Sequence, residues 1–221
     1  MGIGKAAVNG NSFIGAFGIA TDSFSLIGGS VSMRVSGMIK ELLEVEPAMV
    51  SIDGSDLIGI YAVANSRAVL VPEITTDAEL GNIRRSLPGI SVERLRTDLN
   101  ALGNNILAND RIAIINPAYT QAEAGSIGAL LGVETVRLAL GGFPTVGASN
   151  ILTNRGMVLN NESSEEDIGA IKRQISSYSQ STANLGSPSL RLCTMANSKG
   201  LLVGNDTTGF EMARIAEGLG L

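Results

Sequence analysis

Histidine is absent from all 221 residues, which removes the commonest general base and metal ligand and any Ser/His or Cys/His nucleophile pair. Cysteine occurs once, at Cys193, so no internal disulfide and no secreted disulfide scaffold is encoded, and a reducing cytosol is the natural setting. Tryptophan is missing, and the aromatics are five Phe and three Tyr, so small aliphatic side chains must fill the core. No apolar run approaches the roughly 20 residues that cross a bilayer, and the N-terminus has no charged-then-apolar leader pattern. A phosphate loop, a dinucleotide fingerprint and a Cys-x-x-Cys zinc pattern are all lacking. These absences argue for a soluble, cytoplasmic binding protein without cofactor, metal or membrane contact, and against an enzyme. The net charge of −5 argues further against DNA or any partner held mainly by neutralising phosphates, so nucleic-acid contact must be local.

What the chain does have is a period, which has to be settled before any other reading. Ile14, Ile58, Leu102, Val146 and Leu190 follow one another at steps of 44, and the next position reads Gly15, Gly59, Gly103, Gly147 and then Arg191. Ala20-Thr21, Ala64-Asn65, Ala108-Asn109 and Ala196-Asn197 keep the same step, while Thr153-Asn154 in the fourth copy reads as one residue late, as a bulge would make it. The triplets Ser25-Leu26-Ile27, Val69-Leu70-Val71, Ala113-Ile114-Ile115, Met157-Val158-Leu159 and Leu201-Leu202-Val203 read as second strands.

Each unit then holds a helix. Ile39, Ile83, Ile127, Ile171 and Ile215 are followed four residues on by Leu43, Leu87, Leu131, Ile175 and Leu219, which is helical spacing. Ser32, Thr76, Thr120, Ser164 and Thr208 hold the N-cap position, and Glu79, Glu123, Asp167 and Glu211 stand three residues beyond the last four of them. That is the capping box, in which hydroxyl and carboxylate each satisfy a backbone N–H of the other's residue. A third strand follows at residues 45–52, 90–95 and 133–138. Five β-β-α-β units of 44 account for 220 residues, so residues 1–221 are expected to form one α/β domain without a linker. The last helix, with Met212, Ile215 and Leu219, is as apolar as the middle ones and the first still keeps Ile39 and Leu43, whereas an open solenoid needs polar end caps. The ends must therefore cover each other in a closed ring about a pseudo-fivefold axis, with glycines where the inner strands crowd together.

Local readings follow from the same pattern. The first strand is expected to begin near Ser12, where Phe13, Gly15, Phe17 and Ile19 alternate, with little order at residues 1–4. The first helix, carrying Ser36 and Gly37, is expected to be the poorest of the five. Cys193 falls at an alternating strand position and reads as a small buried apolar residue. Arg84-Arg85 reads as part of a solvated charged face.

Asn100-Ala101-Leu102-Gly103-Asn104, Phe143-Pro144-Thr145-Val146-Gly147, and the stretch from Asn197-Ser198-Lys199-Gly200 to Asp206-Thr207-Thr208-Gly209 resemble motifs of the translation initiation factor 6 family, the ribosome anti-association factors. With Val71-Pro72 and Asn116-Pro117 at unit ends, the resemblance runs through the whole chain, which looks like an archaeal-type member without the long C-terminal tail of eukaryotic ones. It implies the pentein fold, a five-bladed α/β ring. It implies a monomer that binds the intersubunit face of the large ribosomal subunit, on a ribosomal protein near the sarcin-ricin loop with limited rRNA contact. Such binding keeps the small subunit away and belongs to late large-subunit maturation. The contacts carried over by resemblance are Gly15, Gly59, Ile60, Gly103 and Asn104, with Asn65 nearby, and pseudosymmetry adds Ala148 and Arg191. Departures from the family pattern are Asn160-Asn161, Arg191 and Phe210. Two other readings remain. One is the pentein branch that modifies guanidino groups, which works through Cys, His and paired acids and is disfavoured without histidine. The other is a ring scaffold for a different partner.

Overall fold

In the computed structural model, which describes residues 2–221, the chain forms five small three-stranded sheets arranged as the blades of a closed ring. Blade one comprises strands β2 (Gly18–Ala20), β3 (Ser25–Ile27) and β4 (Pro47–Met49), with the helix Met33–Leu43 between the last two. Blade two has β5 (Val63–Ala64), β6 (Ala68–Pro72) and β7 (Ser91–Leu95), with Asp77–Ser86. Blade three has β8 (Ile106–Ala108), β9 (Ile112–Ile115) and β10 (Glu134–Arg137), with Gln121–Leu131. Blade four has β11 (Ile151–Leu152), β12 (Met157–Asn160) and β13 (Tyr178–Ser181), with Glu165–Ile171. In every blade the first two strands are an antiparallel hairpin and the third returns parallel to the second after the helix.

Blade five is made from both ends of the chain. Its hairpin is β14 (Thr194–Ala196) and β15 (Gly200–Gly204), its helix is Gly209–Leu219, and its third strand is β1 (Gly2–Ala6), paired in parallel with β15 from Gly2↔Gly200 to Ala6↔Gly204. This corrects the expectation of little order at residues 2–4 and of a first strand near Ser12. Residues 2–6 take the place in the fifth blade that the segment after the helix takes in the other four. Met1 lies outside the described residues.

The expected alternation through Gly15 is also corrected, because Ile14–Ala16 is a single 3-10 turn. Ile58–Tyr61, Leu102–Asn105, Val146–Ser149 and Arg191–Cys193 are short helical turns in the same place, each leading into an inner strand. Cys193 thus lies in a turn and not in a strand, and it is fully buried. The glycine at the second position of four of these turns is needed for contact. A Cβ on Gly59 would overlap the Gly15 carbonyl, one on Gly103 the Gly59 carbonyl, and one on Gly147 the Gly103 carbonyl.

Ile39, Ile83, Ile127, Ile171 and Ile215 are each 1% exposed or less, as the period requires. The apolar interior is five cores, one between each pair of neighbouring blades. Leu80 and Ile83 of helix two pack with Leu26, Ile19 and Val50 of blade one, and Ile168 and Ile171 of helix four pack with Leu107, Ile112 and Ile114 of blade three. This explains why the second strands are continuously apolar. In β9, Ile112 and Ile114 enter one core while Ala113 and Ile115 enter the next, so both faces are covered.

All five N-caps are as expected, and four capping boxes form, the first helix having Val35 where the others have an acid. The first helix is not the poorest, however. It runs 11 residues to a left-handed Glu44, whereas the fourth is 7 residues long and leaves Ile175 outside it. Thr153 is not displaced either. It stands in register with Thr21, Asn65, Asn109 and Asn197, and its Oγ1 accepts from the N–H of Arg155 and Gly156, as Thr21 Oγ1 does from Ser23 and Phe24. Threonine substitutes for asparagine at the hairpin turn because either oxygen can cap it.

Candidate functional site

Strand direction gives the ring two different ends. Each inner strand starts at its helical turn and ends at its hairpin. Each long helix starts at the turn end, where Glu79 reaches the loop before the turn, and finishes at the hairpin end, where Asn65 Nδ2 donates to the Leu131 carbonyl at 2.8 Å. We call these the entry face and the hairpin face.

On the entry face the N3 acids do more than cap helices. The Glu79 carboxylate accepts from the N–H of Asp53 and Gly54 at 3.0 and 2.8 Å, from Ser51 Oγ at 2.9 Å, and from Thr76. Burial alone would raise its pKa, but the Gly54 and Thr76 N–H groups and the Thr76 and Ser51 hydroxyls together pull it down to about 2. Glu211 holds Gly186 and Thr182 in the same way, and Asp167 holds Gly141, with their acidities shifted in the same direction against the opposing effect of burial. Glu123, held chiefly by the Thr97 hydroxyl and then by Thr120, also lies below the ordinary carboxylate range. These loops are tight turns with residues at positive φ, and one is out of character: Leu185, at φ 63, is 74% exposed beside Phe210 at 78%. Phe13 and Met33 of blade one are also exposed here, and Asn184 Nδ2 donates to the Ser12 carbonyl across the blade junction.

The residues expected to contact a partner divide between the two ends. Gly15, Gly59, Gly103 and Ala148 are brought together around the axis at the entry mouth but are buried, while Ile60, Asn104 and Arg191 keep partial exposure there. Asn65 is not near them. The inner strand carries it to the hairpin face, where it is buried, its Oδ1 accepting from Arg67 and Ala68 N–H. Asn104 differs from every other asparagine of the inner ring because its Oδ1 is buried and has no hydrogen-bond partner. Arg191 extends from blade five to blade two, Nη1 donating to the Gly59 carbonyl at 2.6 Å, and burial of its guanidinium lowers its pKa to about 10, so it stays charged.

The hairpin face is closed upon itself. Asn109 Nδ2 donates to the Thr153 carbonyl and Asn197 Nδ2 to those of Thr21 and Leu43, which ties each hairpin to the next blade. One residue further, Asp22, Ser66, Asp110, Asn154 and Ser198 form a polar ring, and the residue after that is Ser23, Arg67, Arg111, Arg155 and Lys199. Arg67 donates to the Gly132 carbonyl and Lys199 to that of Glu44, at the negative ends of neighbouring helices. The sequence reading missed both rings, although the step of 44 marks them as plainly as it marks the glycines. Arg84 bonds the Val92 carbonyl and pairs with Glu93 at 3.3 Å, an ordinary half-exposed surface contact.

Cys193 offers no nucleophile, since burial pushes its thiol up to about 11. Among the described residues no group of three or more Cys, Asp or Glu is placed to hold a metal ion, and no helix is long and apolar enough to cross a membrane. A closed ring of five such blades, with glycines packed head to tail at one mouth, agrees with what the sequence matches: the eIF-6 family, over residues 3–218. The chain belongs to the eIF-6 family. It is 33% identical over 104 residues to translation initiation factor 6 of Methanococcus maripaludis, covering 45% of this chain and 46% of that protein. It is 35% identical over 108 residues to translation initiation factor 6 of Thermococcus onnurineus, covering 47% of each. To the eukaryotic translation initiation factor 6 of Toxoplasma gondii it is 36% identical over 105 residues, covering 46% of this chain and 39% of that protein. The matched stretch therefore spans about half the length of these relatives or less.

Proposed function

We propose that this eIF-6 family member acts in translation by docking its entry face on a protein of the large ribosomal subunit, at the intersubunit surface, and so keeping the small subunit from joining. The observation that carries the reading is Asn104. A buried amide oxygen without a donor costs roughly 1–3 kcal/mol, and because the residue is half-exposed at the entry mouth, a turn of its side chain would present that oxygen to a partner's N–H. Exposed Phe13, Met33, Leu185 and Phe210 lie on the same face, in blades one and five, and suit a protein partner better than a phosphate backbone.

Co-sedimentation with purified large subunits tests this. Asn104→Glu should weaken binding by about 2 kcal/mol or more, roughly thirtyfold, with an unchanged melting curve. The salt slope should correspond to about one or two neutralised phosphates at most, against the near −0.9 per phosphate of a phosphate-driven binder. A steep slope with an indifferent Asn104 variant would move the interface to the cations of the hairpin face, and no co-sedimentation at all would end the reading.

A further inference from the structure

Arg191 is partly exposed as a residue, but its guanidinium is enclosed where no anion faces it. It holds the position that four other blades give to glycine, and its side chain crosses the entry end of the axis to reach Gly59. That bond is the one hydrogen bond the structure gives a guanidinium with five N–H donors. No ion pair of the described residues includes it. The two carboxylates at the far mouth are already engaged, Asp22 by Ser198 and Asn154, and Asp110 by Ser66 and Asn154. Buried charges are as a rule paired or fully hydrogen-bonded, because an uncompensated one is costly.

Behind Arg191 lies a cavity of about 50 Å³, bounded by all five inner strands, including Ala20, Ala64, Ala108, Leu152 and Ala196. A water needs about 10–15 Å³ of such volume, so the space admits a body of ionic size with some solvent. The strands add donors. In β8 the ladder uses Asn105, whose carbonyl accepts from Asn116 N–H, and Asn109, whose N–H donates to Ile112. Antiparallel strands alternate, so Leu107 also faces its partner strand while Ala108 turns its N–H the other way, toward the axis. Thr21, Asn65, Thr153 and Asn197 donate to their own partner strands as Asn109 does, which turns the N–H of Ala20, Ala64, Leu152 and Ala196 inward too. The five sheets remain separate, so no adjoining strand takes up these groups. Because the inner strands run toward the hairpin face, each inward N–H lies on the Arg191 side of its own carbonyl. The arrangement is a nest of donors beside a fixed positive charge.

We propose that the axial cavity binds one small monovalent anion, such as chloride, between the Arg191 guanidinium and the inward N–H groups of the inner strands. The test needs no ribosome, so its outcome and that of the docking experiment are read separately. The unmodified chain is melted in chloride, bromide or gluconate at one ionic strength, beside Arg191→Met, and is crystallised with bromide for anomalous scattering. The expected result is a saturable rise in melting temperature with chloride and bromide but not gluconate, absent from Arg191→Met, and a bromide peak on the axis within hydrogen-bond reach of Arg191. The same chloride dependence in both chains, or an axis holding water alone in bromide, overturns the proposal. Should Arg191→Met not fold, the bromide map of the unmodified chain decides by itself.

Discussion

The two faces of the ring are built by the same five repeats and finish in opposite chemical states. At the hairpin face the asparagines at positions 65, 109 and 197 spend both ends of their amides on neighbouring backbone, and Arg67 and Lys199 sit on helix C-termini. At the entry face an amide oxygen at Asn104 is left over, and Leu185 is exposed in a left-handed conformation that favours glycine or asparagine. The five long helices point the same way, so their N-terminal acids collect at the entry end, while Arg67 and Lys199 meet helix C-termini at the hairpin end. Self-satisfaction is what a structural end looks like, and unmet bonds with exposed apolar groups mark an end that expects company.

The sharpest way to break this contrast is at the entry mouth. Gly103→Val would put a side chain into the Gly59 carbonyl, and we expect a loss of at least about 4 kcal/mol in chemical denaturation, or no folded protein. Gly37→Ala, in open space within the first helix, should instead raise stability by about 0.5–1 kcal/mol. Equal effects of the two substitutions would show that the ring does not close as described.

Acid should act on the entry face first. The folded pKa of Glu79 is below its unfolded value near 4.5, so its contribution is present above that pH and is lost as the pH falls toward 2. About 3 kcal/mol is at stake, and Glu79→Gln should remove most of this pH dependence in denaturation curves taken between pH 5 and 2. Glu123, Asp167 and Glu211 shift in the same direction, so hydrogen exchange at low pH should open residues 53–54 and 185–186 before the hairpins. Exchange that begins at the hairpins would contradict the assignment.

Smaller effects separate structure from function. Asn109→Ala removes three bonds on the hairpin face and should cost about 1–3 kcal/mol of stability while leaving subunit binding alone. Asn104→Ala should do the reverse, because its oxygen makes no bond to lose. Smallest of all, Cys193→Ser should cost about 1 kcal/mol, and the native thiol should resist alkylation at neutral pH because it is buried and protonated. Rapid labelling of the folded chain would reopen the question of chemistry there.

Much of this was legible in the sequence, for reasons the structure makes plain. The helices were readable because each buries one stripe and begins at a hydroxyl with an acid three residues on. The entry turns were not, since alternation around Gly15 imitates a strand, and a four-residue turn is too short to express a helical period. The far placement of Asn65 was hidden because nearness in sequence is not nearness across a strand. The N-terminal strand lacks a recognisable pattern because Gly2 and Gly4 make room for Leu42, and glycine is a poor advertisement for a strand.

That same strand places a delay in the life of the molecule. Residues 2–6 leave the ribosome nearly 200 residues ahead of the segment they must pair with, 200–204. At about 5–20 residues per second the N-terminus waits on the order of 10–40 s for its partner, while β15 and its helix are still to come. Until then the nascent chain is an open arc whose two end blades each show an uncovered apolar side. A chaperone, or the ribosome surface itself, has that interval in which to keep the arc from closing on another copy, and a permuted chain beginning after Gly10 would have no such wait.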